Sequence, residues 1–115
     1  MNRKIIGLVG VAAALLLSTG CFRNTVSTIE LNIPAMKTEA CVQAIESALG
    51  RLGDGAIQDI APDVGVGKMV VTFDNVRLGR RNIEVAVRHA GFAVNDLPAD
   101  EEARAKLSPE CRGDE

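Results

Sequence analysis

The chain has 115 residues, a formal net charge of −2 and a hydrophobic content of 47%, of which very little is aromatic. This length allows one small domain. The net charge is slightly negative, whereas nucleic-acid-binding domains are typically basic, so nucleic acid is not an expected partner. Because Trp and Tyr are absent, the core must be built mainly from Ile, Val, Leu and Ala.

Residues 1–20 have the three parts of a secretory signal peptide. Arg3 and Lys4 form a basic head, an apolar stretch too short to span a bilayer follows, and small residues lead to Gly20-Cys21. Gly20-Cys21 resembles the lipobox of bacterial lipoproteins. In those proteins the cysteine thiol takes a diacylglyceryl group, and the new amino terminus is acylated, with palmitate. The alternative is an ordinary cleaved signal peptide with an incidental cysteine.

The lipobox resemblance implies a membrane anchor at Cys21. Residues 21–26 would then be the lipid anchor and its tether, holding the rest of the chain on a membrane. The residue that follows this cysteine is Phe22 and not Asp. This resembles lipoproteins that are sent to an outer membrane and face the periplasm.

The first half of the remaining chain predicts a strand and a helix. Apolar and polar residues alternate over residues 26–33, which is typical of a half-buried strand that Pro34 ends. Thr38 is the expected N-cap of a helix that presents Cys41 in its first turn, and glycines at positions 50 and 53 end it.

The second half predicts strands over residues 56–61 and 68–73, a helix over residues 80–90 and a short last strand at 92–94. The order βαββαβ indicates an α+β, ferredoxin-like sandwich over residues 27–96, with the first strand central in the sheet. The residues expected to be mostly buried are Ile29, Leu31, Ile45, Leu49, Val71, Phe73, Ile83, Val87 and Phe92.

Residues 97–115 form a polar tail with a predicted helix over residues 99–107, followed by Pro109 and Cys111. In a ferredoxin-like sheet the last strand ends away from the loop before Cys41, so the tail must return about 15 Å. The predicted helix covers about 13 Å. The tail is therefore long enough to deliver Cys111 beside Cys41. The alternative is a disordered acidic tail with an unrelated thiol.

Residues 27–95 resemble the heavy-metal-associated domain of copper chaperones, periplasmic mercury-binding proteins and metal-transporting ATPases. The resemblance lies in Ile29-Glu30-Leu31-Asn32-Ile33-Pro34, in Met36, in Val70-Val71-Thr72-Phe73-Asp74 and in Ala90-Gly91-Phe92. In that family the first loop reads Met-x-Cys-x-x-Cys, and its two thiolates hold a soft ion such as Cu(I), Hg(II) or Zn(II). Here Met36 and Cys41 match, and Thr38 stands in place of the first cysteine.

The expected metal ligands are therefore Cys41, with Cys111 as the second thiolate, and Met36 as an assisting thioether. Two cysteines in an exported chain leave three alternatives: a disulfide, a pair of soft-metal ligands, or unrelated thiols. The sequence contains no arrangement typical of catalysis, so an enzyme is not expected.

Two functions follow as hypotheses. The first is a membrane-anchored, exported carrier of a soft metal ion that exchanges it with a metal-transporting partner protein. The second is an interaction or structural module that keeps the fold without the metal, in which the two cysteines form a stabilising disulfide or stay apart.

Overall fold

A computed structural model describes residues 25–112; the predicted signal peptide and Cys21 lie outside this range. The elements follow the chain as β1 (Val26–Asn32), α1 (Glu39–Gly50), β2 (Ile57–Asp63), β3 (Lys68–Asp74), α2 (Arg80–His89), α3 (Glu101–Ala105) and a 3-10 turn (Pro109–Cys111). Within residues 25–112 no helix has the length and apolar character needed to cross a membrane.

The three strands form an antiparallel sheet in the order β1-β3-β2. Ile29 pairs with Val71 and Leu31 with Met69 across the centre of β1 and β3. These side chains share the face that is covered by the helices, as the alternation in β1 predicts. β2 continues to Asp63, beyond the predicted end at residue 61. It includes Pro62 because an edge strand tolerates a residue without an N–H donor.

The core lies between one face of the sheet and the two long helices. Aliphatic side chains from α1, such as Ile45 and Leu49, and from α2, such as Ile83 and Val87, have no exposed surface. Every residue predicted to be buried is buried except Ile29, which is half-buried. This arrangement confirms the predicted α+β class and the helical periodicities, and fully burying such a side chain contributes about 1.5–3 kcal/mol.

The predicted fourth strand is absent from the described residues. Phe92 and Val94 are buried, but Val94 and Leu97 exchange hydrogen bonds of 3.0 and 2.9 Å around a tight turn. Asn95 takes a φ of 51° in this turn, a conformation that Asn tolerates better than most residues. The chain therefore reverses direction before a ladder along β1 can form.

Asn95 bonds to the last residue of β1, where the fourth strand was expected to pair. Asn95 donates its backbone N–H to the Asn32 carbonyl, and its Oδ1 accepts the Asn32 N–H, both at 2.9 Å. Its Nδ2 donates to the buried carboxylate of Glu84 at 2.6 Å. The prediction that β1 is central was wrong for this reason: within residues 25–112 β1 is an edge strand, and β3 is central.

The tail takes a shorter route than predicted. Because the chain turns back at Asn95, it need not return along the length of the sheet. α3 spans only Glu101–Ala105, shorter than the predicted helix, and Asp100 caps it by accepting the Glu102 N–H at 3.1 Å. The tail then lies against α1 and α2 and ends beside the amino-terminal turn of α1.

Candidate functional site

Cys41 lies in the first turn of α1, where the sequence predicts it. Thr38 occupies the N-cap position with an extended backbone, and its carbonyl accepts the Cys41 N–H at 3.1 Å. The Thr38 side chain makes no cap bond to the helix. Its hydroxyl instead lies 3.3 Å from the Cys41 sulfur. Thr38 thus contacts the sulfur that, in the resembled loop, would have a second cysteine beside it.

Cys111 repeats this arrangement at the end of the tail. It closes the 3-10 turn that follows Ser108, and its N–H donates to the Ser108 carbonyl at 2.9 Å. The Ser108 hydroxyl donates to the Cys111 sulfur at 3.6 Å. Each cysteine is therefore held by a hydroxyl residue three positions before it, through one backbone bond and one contact to sulfur. Ser108 was not identified from the sequence.

The structure joins Cys41 and Cys111 by a disulfide between residues 70 positions apart, with the two Cα atoms 5.4 Å apart. This separation lies in the usual range for a bridge. The tail thus reaches α1, as predicted, but by the shorter route that the turn at Asn95 allows. The exposed fractions of the two residues are 0% and 2%, so solvent reaches neither sulfur freely.

Asp100 fixes the start of the tail to the end of α2. Its N–H donates to the Arg88 carbonyl at 3.2 Å, and its carboxylate lies 3.5 Å from the His89 Nδ1. The backbone N–H of Ala103 is the largest cause that holds the pKa of Asp100 below its ordinary value. Bonds from the Glu102 N–H and His89 and the nearby charge of Arg88 add to this, and partial burial opposes it.

Gly91 provides the surface on which the tail packs. It has a φ of 106°, and a Cβ there would lie 2.8 Å from Leu107 Cδ1 and 2.9 Å from backbone atoms of Ala103 and Arg104. Only a residue without a side chain allows this approach. The sequence predicts that the helix ends at residue 90, just before Gly91, but the contact with the tail has no sequence signal of its own.

Two arginine side chains make hydrogen bonds to backbone carbonyls at the end of the tail. Arg104 Nε donates to the Arg112 carbonyl at 2.9 Å, and Arg112 Nη1 donates to the Leu107 carbonyl at 3.3 Å. These bonds hold the chain on both sides of Cys111 in a compact turn. They shape the turn that carries the second sulfur.

Met36 lies in the same buried cluster as the two cysteines and has no exposed surface. Its N–H donates to the Ile33 carbonyl at 3.0 Å, and the Ile33 N–H donates to the Gly67 carbonyl at 2.7 Å. A Cβ at Gly67 would come within 2.9 Å of the Ile33 oxygen. The loop before α1 is therefore packed tightly against the β2–β3 turn.

The donor set near the sulfurs is small. Among the described residues, no group of three or more His, Cys, Asp or Glu side chains is arranged to hold a metal ion. An open groove of about 550 Å³ lies between α1, α2 and the tail, but neither cysteine lines it. Its lining mixes charges of both signs, including Arg51, Asp100 and Lys106. The sulfur pair is therefore the chemically distinctive feature of the described residues.

Comparison with known proteins gives likenesses of structure. No protein-family model and no curated protein sequence matches the chain. The crystal structure of oxidized MerP from Ralstonia metallidurans CH34 is similar, with 23% identity and a TM-score of 0.54, over 61% of this chain and 94% of that one.

A second likeness is to the solution structure of the putative copper-ion-binding protein from Bacillus anthracis str. Ames. It has 23% identity and a TM-score of 0.55, over 64% of this chain and all of that one. A mutant of ZiaAN matches with 24% identity and a TM-score of 0.51, over 62% of this chain and 97% of that one. The chain therefore has the predicted α+β, ferredoxin-like fold, which it shares with these solved structures.

Proposed function

We propose that this protein is an exported, lipid-anchored metal-binding protein that holds a soft metal ion between the reduced sulfurs of Cys41 and Cys111. The observation that carries the proposal is the 5.4 Å separation of their Cα atoms. It places two sulfurs together at the amino-terminal turn of α1, which is where the resembled family binds its metal. The second sulfur comes from the tail because Thr38 stands in the loop position of a cysteine.

The oxidised pair must first be reduced. Two electrons and two protons from a dithiol reductant break the S–S bond and leave two thiols, while the reductant becomes a disulfide. Cu(I) then displaces both thiol protons and is bound by two thiolates. The same exchange in reverse would release the ion to the thiolates of a metal-transporting partner.

The donor count favours some ions over others. Two thiolates with no third ligand of the usual types in the described residues suit ions that accept two soft donors, such as Cu(I) and Hg(II). Zn(II) prefers four ligands and is the weaker candidate. The thioether of Met36, buried in the same cluster, is the available additional soft donor. Structural likenesses to MerP and to a putative copper-ion-binding protein support this choice of ions.

The proposal also includes a lipid anchor at Cys21. Cys21 precedes β1 by a few residues, so an acylated Cys21 would hold the domain close to a membrane surface. Cells labelled with a radioactive fatty acid should mark the wild-type protein and not the Cys21→Ser variant. The Cys41→Ser variant is the matched control and should keep its label. Label in Cys21→Ser would contradict the anchor.

Metal binding is tested by titrating the reduced protein with Cu(I) in the absence of oxygen, against a chromogenic Cu(I) chelator. We expect about one ion per chain in the wild type, because two thiolates form one site. Cys41→Ser should abolish binding, and Cys111→Ser should weaken it severely, while Cys21→Ser should leave it intact. Equal affinity in all four proteins would refute the metal site.

A structural module is the second candidate, and the burial of both sulfurs favours it. A bridge that closes a loop of 70 residues stabilises a small domain by about 4 kcal/mol through the entropy of the unfolded chain. In this reading the disulfide ties the tail to α1 and the metal is absent. Loss of stability on reduction, together with no Cu(I) binding by the reduced protein, would select this function.

A further inference from the structure

The sulfurs of the candidate site are closed off from solvent. Cys41 is fully buried and Cys111 is 2% exposed. A reductant must place its attacking atom directly on a disulfide sulfur. Since a partner or reductant cannot make that contact through the packed surface, part of the protein must move first.

The two sides of the bridge differ in how firmly they are held. Cys41 belongs to α1, whose neighbouring residues Ile45 and Leu49 are completely buried in the core. α3, in contrast, has no buried residue and is only five residues long. Local opening is easiest where few apolar side chains are buried. Movement of the tail therefore costs less free energy than movement of α1.

We propose that residues 100–110 form a cover, hinged at Pro98-Ala99 and tied to α1 at its other end by the Cys41–Cys111 bridge, and that reductants and metal donors reach the two sulfurs only when this cover undocks. The metal part of this inference rests on the proposed function; the control of access does not. The cover is joined to the domain by Pro98 and Ala99, between the turn fixed by Val94 and Leu97 and the first anchor at Asp100.

The cover packs directly on Gly91. The backbone of Ala103 and Arg104 and the side chain of Leu107 approach it so closely that a methyl group cannot be accommodated without displacement. Gly91→Ala should therefore shift the equilibrium towards the undocked state. Gly55 supplies a matched control because it also has a positive φ, of 74°, but a Cβ there meets only the flexible end of Arg77 at 3.7 Å.

The test is the rate of disulfide reduction by a water-soluble phosphine, with metal excluded. The phosphine attacks one sulfur, the S–S bond breaks, and water supplies the oxygen of the phosphine oxide and the protons of the two thiols. We expect the wild-type rate to level off at high phosphine concentration, at the rate of opening. Gly91→Ala should react at least about tenfold faster, because the added methyl group overpacks the contact, and Gly55→Ala should stay within about twofold of the wild type.

A second variant acts from the side of the tail. Leu107→Ala removes a half-buried side chain that packs on Gly91 and lies outside the sheet and the two long helices, and it should also accelerate reduction. Wild-type rates in both Gly91→Ala and Leu107→Ala would overturn the cover, as would equal acceleration by Gly55→Ala. Faster reduction in the two cover variants, together with no Cu(I) binding by the reduced protein, would refute the proposed metal binding but still support the control of access by the cover.

Discussion

The hydroxyl oxygen of Thr38 lies 3.3 Å from the sulfur of Cys41. A residue at position 38 is therefore close enough to share a bound ion with Cys41, and a hydroxyl there is a poor ligand for a soft metal. In the structure the sulfur joined to that of Cys41 belongs to Cys111, which the tail delivers. If both sulfurs bind the proposed ion, a cysteine at position 38 would add a third, which is the basis of the first prediction.

Thr38→Cys should strengthen Cu(I) binding by the reduced protein by at least about tenfold, the equivalent of about 1.4 kcal/mol. The added thiol supplies a further soft donor beside Cys41. The measurement is competition with a chromogenic Cu(I) chelator. Thr28→Cys, at an exposed position of β1, is the control for an added thiol elsewhere. The same gain in both variants would show that proximity to Cys41 has no role.

Reduction of the disulfide should lower the free energy of unfolding by about 3–4 kcal/mol, because the bridge restricts a loop of 70 residues in the unfolded chain. Urea unfolding of the oxidised and the reduced protein, both free of metal, measures this difference. The Cys111→Ser variant should behave like the reduced wild type and be insensitive to reductant. A difference below about 1 kcal/mol would be inconsistent with an effective bridge.

The tail should detach more readily in acid. The pKa of Asp100 lies below its ordinary value of 3.8 in the folded protein, so its carboxylate stabilises the docked tail above about pH 4. That stabilisation is lost as the pH falls through the folded-state pKa. Disulfide reduction by the phosphine should therefore accelerate in the wild type, relative to Asp100→Asn at the same pH, as the pH falls below about 4. In Asp100→Asn it should already be fast at neutral pH and change less, and identical pH profiles would contradict this role.

Much of the fold follows from local pattern. The alternation in β1 and the helical spacing of Ile45 and Leu49 predict elements that the structure confirms, since one buried face imposes each periodicity. The ferredoxin-like fold, predicted from the order of the elements and from a resemblance of short segments, is likewise confirmed.

The fourth strand could not be excluded from the sequence. Phe92 and Val94 are apolar, alternate and are buried, as a strand requires. What prevents the ladder is the left-handed backbone of Asn95, stabilised by a bond to Glu84 from a different element. A contact of this kind depends on tertiary structure and leaves no periodic signal.

The candidate site, like the fold, could be predicted only in part from the sequence. The position of Cys41 follows from its place in a helix. The contact between the tail and α1 was predicted from the length of the tail, although the tail takes a shorter route than that prediction assumed. The close packing of Leu107 on Gly91 and the contact of Ser108 with Cys111 depend on how the tail docks. Neither could be predicted before the position of the tail was known.

X-ray absorption spectroscopy of the reduced protein loaded with one equivalent of Cu(I) tests directly whether Cys41 and Cys111 bind the ion. We expect two sulfur neighbours for the copper in the wild type and in Cys21→Ser, with a third, weaker sulfur if Met36 assists. We also expect that Cys111→Ser loses one sulfur neighbour from this shell. Copper surrounded by nitrogen or oxygen, or a sulfur count that Cys111→Ser leaves unchanged, would contradict a metal site formed by Cys41 and Cys111.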